Sequence, residues 1–299
     1  MPDRAHDLPH GEPLLRRLGR EAARAFRPAH DLANLAESAA DVQRPITTGR
    51  RIAVVGMRGG SGKSTLSALL ALVFANHRHD RVLAVDVDPD WGSLPLRLGV
   101  RHRHALADVQ AALAGAGSFE DVEPYLTSAG DRLWVLPANR GHMGDSPLTA
   151  EIYEHNAVPL TRFFGVTIID CGSGMRGELQ QAVLAGAHAV VLATPATPDG
   201  ARTAGRALDL VAASGLGHLI ARTVVVFTVK SPHTRKTLDL DGAAAILADV
   251  GAGAVRLDYD RHLASTSTLD PRRLAHSTRT TAIRIAAETL QRALHPTSL

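Results

Sequence analysis

From residue 51 to residue 294 the sequence predicts an α/β fold, a mostly parallel sheet of about seven strands with helices on both faces, in three α/β/α layers. Three observations carry this expectation. Short apolar runs recur without polar alternation, as strands buried on both faces require. Helical stretches separate the runs, so successive strands pair in parallel through right-handed crossovers. The first run also delivers the chain into a glycine-rich segment that opens a helix.

The elements follow in order. A helix is expected from Leu14 to Phe26, with Leu14, Leu15, Leu18, Ala22 and Phe26 on one side. Its other side carries Arg16, Arg17, Arg20 and Arg24, and Pro28 ends it. A second helix spans Leu32 to Val42, before Pro45, so residues 1–50 form a helical arm or linker. Strands follow at Ile52–Val55, Val82–Val85, Leu133–Leu136, Val166–Ile169, Ala189–Ala193, Thr223–Phe227 and Ala254–Leu257. Between them lie helices at Thr149–Phe163, Glu178–Ala187, Ala201–Ser214 and Leu240–Val250, and a last helix covers Thr280 to Leu294. In that last helix Ile283, Ala286, Ala287, Leu290 and Leu294 share a face without bulky aromatics or a lysine-rich side. This predicts docking on the core and argues against more than a peripheral membrane contact.

The segment after the first strand sets the chemistry. It reads Arg58-Gly59-Gly60-Ser61-Gly62-Lys63-Ser64-Thr65, and Leu66, Leu69, Leu70, Val73 and Phe74 continue it as a helix face. Backbone N–H groups of such a loop cradle phosphate oxygens. Lys63 is placed to reach β- and γ-phosphates, and the Ser64 hydroxyl to sit on Mg²⁺. Met57 stands where the ordinary phosphate loop has its first glycine. Carboxylates should then stand at the carboxyl ends of core strands, where open α/β sheets bind ligands. Two runs comply, Val85-Asp86-Val87-Asp88-Pro89 and Ile169-Asp170-Cys171-Gly172-Ser173-Gly174. Asp170 is the candidate metal carboxylate.

These motifs resemble the deviant Walker A pattern, K-G-G-x-G-K-S/T, of the MinD/ParA family of P-loop ATPases. The resemblance covers roughly residues 51–294 and makes 51–299 the ATPase domain. It implies ATP and Mg²⁺ as cofactors, slow hydrolysis, and an ATP-dependent homodimer acting as a binding switch. By position it assigns Arg58 to the partner's phosphates across the dimer, and Gly59, Gly60, Ser61, Gly62, Lys63, Ser64 and Thr65 to the nucleotide. It puts Asp86 near the metal beside Ser64 and Asp170, gives Asp88 the attacking water, and gives Gly174 a backbone contact to the γ-phosphate. Thr228 falls where the family often has an adenine-reading Asn, and Gly172 replaces a proline. The run after Asp86, the Asp-Cys-Gly-x-Gly segment and Asp199-Gly200-Ala201-Arg202 look closest to actinobacterial MinD-like ATPases linked to type VII secretion. A protein partner in secretion or positioning machinery is therefore expected. The alternatives are a DNA-partitioning ATPase or a nucleotide-binding regulator with little turnover.

Composition narrows the classes. No apolar stretch reaches membrane-spanning length, and the first residues show no secretory signal pattern. One cysteine excludes a disulfide framework and an iron–sulfur carrier, and accords with a cytoplasmic location. The net charge of +3 is mild, so non-specific DNA binding would rest on local arginines such as Arg272, Arg273, Arg279 and Arg284. Aromatic content of 4% argues against base-stacking platforms. His102 and His104 sit between arginines and read as a solvated basic loop.

Overall fold

The computed structural model describes residues 29–89, 92–140, 148–232 and 238–295. The helix expected over Leu14–Phe26 lies outside them. One sheet of eight strands organises the chain: β1 Arg50–Val55, β2 Val82–Val87, β3 Thr127–Gly130, β4 Leu133–Leu136, β5 Val166–Cys171, β6 Ala189–Pro195, β7 Thr223–Thr228 and β8 Gly253–Leu257. Their spatial order is β3-β4-β2-β5-β1-β6-β7-β8. All neighbours pair in parallel except β3 with β4. The sequence reading did not include β3, because Thr-Ser-Ala-Gly offers no apolar run.

Strand periodicity sorts the core into two layers. In β1, Ile52 and Val54 face one side while Ala53 and Val55 face the other, and all four are fully buried. The first side is covered by α1 (Lys63–His77), largely apolar all round, and by α2 (His276–Leu294). The second carries the segment from 150 to 163, Glu178–Ala185, Pro198–Ala213 and Leu240–Asp249. Helix α2 begins four residues before the expected Thr280. It buries Ala282, Ile285, Ala286, Ala287 and Leu290, so it docks on the core. No described helix is long and apolar enough to cross a membrane.

The stretch expected as one helix from Thr149 to Phe163 is broken. A π turn occupies Tyr153–Ala157, in which the Val158 N–H donates to the Tyr153 carbonyl. The next residue, Pro159, has no N–H to continue an α-helical ladder.

The helix Ala29–Val42 packs along α2, and Val42 is fully buried. Arg78, itself only 4% exposed, holds that junction. Its guanidinium donates to the carbonyls of Val42 at 2.6 Å and Arg44 at 3.0 Å, and to the Asp80 carboxylate at 3.0 Å. Removing a buried charged donor leaves these acceptors unsatisfied. Arg78→Ala should therefore lower unfolding stability by about 2 kcal/mol in urea titration, the cost of such a network. An unchanged midpoint would show that the junction does not depend on Arg78.

Candidate functional site

The switch from leftward to rightward crossovers occurs at β1, so the crevice opens at its carboxyl end. The chain leaves β1 through Gly56, which has no room for a side chain: a Cβ there would lie 2.6 Å from Ser61 Oγ and 3.0 Å from the Ala193 carbonyl. Gly60 and Gly62 take left-handed φ values of 71° and 99°, which L side chains rarely adopt. Gly62 then caps α1 without a side-chain hydrogen bond, and no acidic residue occupies the first turn. The first N–H groups of a long buried helix thus face the crevice with the positive end of its dipole, an anion site.

The same periodicity that builds the core aims the carboxylates. Asp86 shares the face of Val82 and Ala84, and Asp170 that of Val166 and Ile168, which is the face α1 covers. Parallel register places Asp86 directly beside Asp170. Both lie inside the last residues of their strands rather than past them, and both are essentially fully buried. Asp86 accepts the N–H groups of Asp88 and Leu94, each at 3.0 Å. Asp170 accepts Ser67 Oγ at 2.9 Å and is also hydrogen-bonded by Ser64, one turn earlier on α1. Burial, then the neighbouring Asp86, pushes the Asp170 carboxyl well above the usual carboxylate range; burial raises Asp86 too. A cation beside such a pair would favour its ionised form.

A cleft of about 440 Å³ is lined by Gly60, Gly62, Lys63, Ser64, Thr65 and Asp88 among others, while Asp86 and Asp170 lie beneath its lining. Lys63 is buried and its ammonium donates to Ser173 Oγ at 3.1 Å. Gly172 stands against Asp88 and Pro89, so the two strand-end loops touch. Gly174 has φ 91° and gives its N–H to the Gly56 carbonyl at 3.1 Å, which ties this loop to the base of the phosphate loop. Cys171 is buried beneath them, and burial raises its thiol pKa.

Three placements show contacts that the sequence did not. Arg58 lies on the outer side of the loop and pairs with Asp199 of the same chain at 2.5 Å, the two side chains being 64% and 53% exposed. Thr228 does reach the cleft, but its hydroxyl donates to backbone, either the Ser61 carbonyl at 3.1 Å or the Thr194 carbonyl at 3.2 Å. It fastens the phosphate loop to β7. Asp260, which also lines the cleft, accepts the N–H groups of His262, Leu263 and Ala275 and the Thr278 hydroxyl, a structural role. Sequence reasoning missed Ser67, whose only signal was its spacing of three from Ser64. It also missed Arg97, which lines the cleft and donates to the Thr266 carbonyl at 2.7 Å, and Lys230. His104 sits 4.0 Å from Asp108 and packs on Tyr125, and no cluster of three or more His, Cys, Asp or Glu suited to a metal occurs among the described residues.

The CobQ/CobB/MinD/ParA nucleotide binding domain matches residues 52–270. The ESX-1 secretion-associated protein EspI of Mycobacterium tuberculosis is 33% identical over 227 residues, which cover 74% of this chain and 34% of EspI. The chain thus spans about a third of the length of the curated relatives it matches. The fold is similar to that of the cell division protein MinD from Aquifex aeolicus, with TM-score 0.59 and 19% identity, covering 79% of this chain and 96% of that one. It is likewise similar to a ParA family ATPase from Chlorobium tepidum, with TM-score 0.57 and 18% identity, covering 83% and 98%.

If Thr228 is a fastener, Thr228→Val should weaken ADP and inorganic pyrophosphate alike, each by about tenfold, because the loop carbonyl loses its donor. Calorimetric loss confined to ADP would instead make Thr228 a reader of the base.

Proposed function

The chain belongs to the CobQ/CobB/MinD/ParA nucleotide-binding family, and on that premise we propose that it is a Mg-ATP-dependent switch that dimerises, hydrolyses ATP slowly and signals to a partner complex. The observation that supports this most is the buried Asp86–Asp170 pair beside Ser64 and Lys63, under an uncapped helix terminus. Two carboxylates and a hydroxyl are hard oxygen donors, and Mg²⁺ is held by one or two carboxylates together with substrate phosphates. Ser64, Asp170 and Asp86 would hold it. When bound, it would offset the charge of the phosphates.

The chain's own groups do the remaining work. Amides of Gly59 to Thr65 and the Lys63 ammonium would bind the phosphates and offset charge that shifts during transfer to water. Asp88, anchored by its N–H on Asp86, would orient the attacking water. Arg58 would act only after leaving Asp199, reaching the phosphates of the partner copy. An exposed ion pair is worth about 1 kcal/mol or less, so dimerisation can outbid it. The loops at Asp86–Pro89 and Asp170–Gly174, already in contact, would order together around the γ-phosphate and relax after hydrolysis.

The output would be a change of binding surface. The relationship to EspI, a secretion-associated protein, supports a protein partner in a secretion machine. With the reducing-compartment signature of one cysteine, a cytoplasmic location accords with this reading.

Two variants test the scheme. Asp88→Ala should bind ATP as tightly as the parent, lose about 100-fold or more in turnover, and persist as an ATP dimer in light scattering. A fully active monomer would refute the role of Asp88. Asp199→Ala should release Arg58 and lower the protein concentration for half-maximal ATP-driven dimerisation by about fivefold. An unchanged or raised concentration would mean that Arg58 is not restrained by this pair.

A further inference from the structure

Lysine is scarce in this chain, occurring only at positions 63, 230 and 236, while arginine supplies nearly all the basic charge. Two of those lysines converge on one cleft. Lys63 enters from α1 and Lys230 from the loop that leaves β7 two residues after Thr228. The Lys230 ammonium lies over Gly60, where a Cβ would be 3.8 Å from Nζ. Gly60 has φ 71°, so the loop turns its bare side to this lysine.

Nothing in the described structure neutralises Lys230. No carboxylate of the described residues lies within ion-pair distance of it, and Asp258 on the same cleft is engaged by Arg256 at 2.7 Å. The other cation lining the cleft, Arg97, spends a guanidinium N–H on the Thr266 carbonyl. Partial burial, then the charge of Lys63, holds the Lys230 ammonium below its usual range, as two neighbouring cations without an anion must. Like charges brought together beside a helix N-terminus cost free energy that an anion between them returns.

We propose that Lys230 is a second phosphate-binding ammonium of this cleft, reaching over Gly60 to the polyphosphate that Lys63 and the loop amides hold. This rests on the nucleotide reading above and adds a residue to it. The ligand class is a diphosphate or triphosphate, since one phosphate would already be occupied by Lys63 and the helix terminus. A lysine suits the position because its ammonium is a compact charge on a flexible stem.

The test compares ADP and inorganic pyrophosphate by calorimetry on the parent chain, Lys230→Gln and Lys230→Arg, across a salt series. Lys230→Gln should weaken both ligands by about tenfold and flatten their salt dependence, as loss of one charge-assisted contact requires. Lys230→Arg should keep most of both. Equal affinity of Lys230→Gln and the parent would overturn the inference while leaving the nucleotide site standing. A loss for ADP but not pyrophosphate would also overturn it, by moving Lys230 to the nucleoside. A parent chain that binds neither ligand would overturn the nucleotide reading itself.

Discussion

Two carboxylates side by side in a dry interior are the constraint around which this domain is arranged. Each ionised carboxylate costs several kcal/mol to bury, and neighbouring like charges add to that cost. Asp86 and Asp170 sit together because β2 and β5 are adjacent, parallel and in register. Moving either strand by one residue would send its carboxylate to the opposite layer. The hydroxyls of Ser64 and Ser67 and the N–H groups of Asp88 and Leu94 compensate in part. They fall short of neutralising two charges, and on the proposed reading a divalent cation carried by an anionic ligand would supply the difference. On that reading fold and ligand would be coupled through one pair of side chains.

The phosphate loop depends on the same arrangement. It begins at Gly56, which the approach of Ser61 and Ala193 keeps free of a side chain, and it is fastened at its middle by Thr228. Its far side is held by the exposed Arg58–Asp199 pair. Asp199 can stand there because Gly200 lets its helix start tightly against β6: a Cβ at Gly200 would lie 2.0 Å from the Pro195 carbonyl. One attachment is buried and firm while the other is exposed and weak, which is the distribution a loop needs if one end must move while the phosphate cradle keeps its shape.

Local features were legible in the sequence, and long-range partnerships were not. The loop from Arg58 to Thr65 is contiguous, so its glycines and Lys63 could be read directly. Asp86 and Asp170 were visible because each ends an apolar run, and strand ends line the crevice in this class of fold. Their adjacency required the strand order. Arg58 and Asp199 are 141 residues apart, and Thr228 and Ser61 are 167 apart, so no spacing rule joins them. Thr228 falls where the family often has an adenine-reading Asn, and its hydroxyl hydrogen goes to backbone here. The edge strand β3 escaped notice because its four residues carry no β-branched or aromatic apolar side chain. Lys230 looked like any loop lysine until the fold brought it over Gly60.

The most direct measurement is the calorimetric affinity of the parent chain for ATP with Mg²⁺ and then with the metal removed by chelator. If the buried Asp86–Asp170 pair holds a metal, ATP should bind tightly with Mg²⁺ and at least tenfold more weakly without it, a gap of about 1.4 kcal/mol. Equal binding in both conditions, or none in either, would contradict the view that this buried pair exists to hold a metal–nucleotide complex.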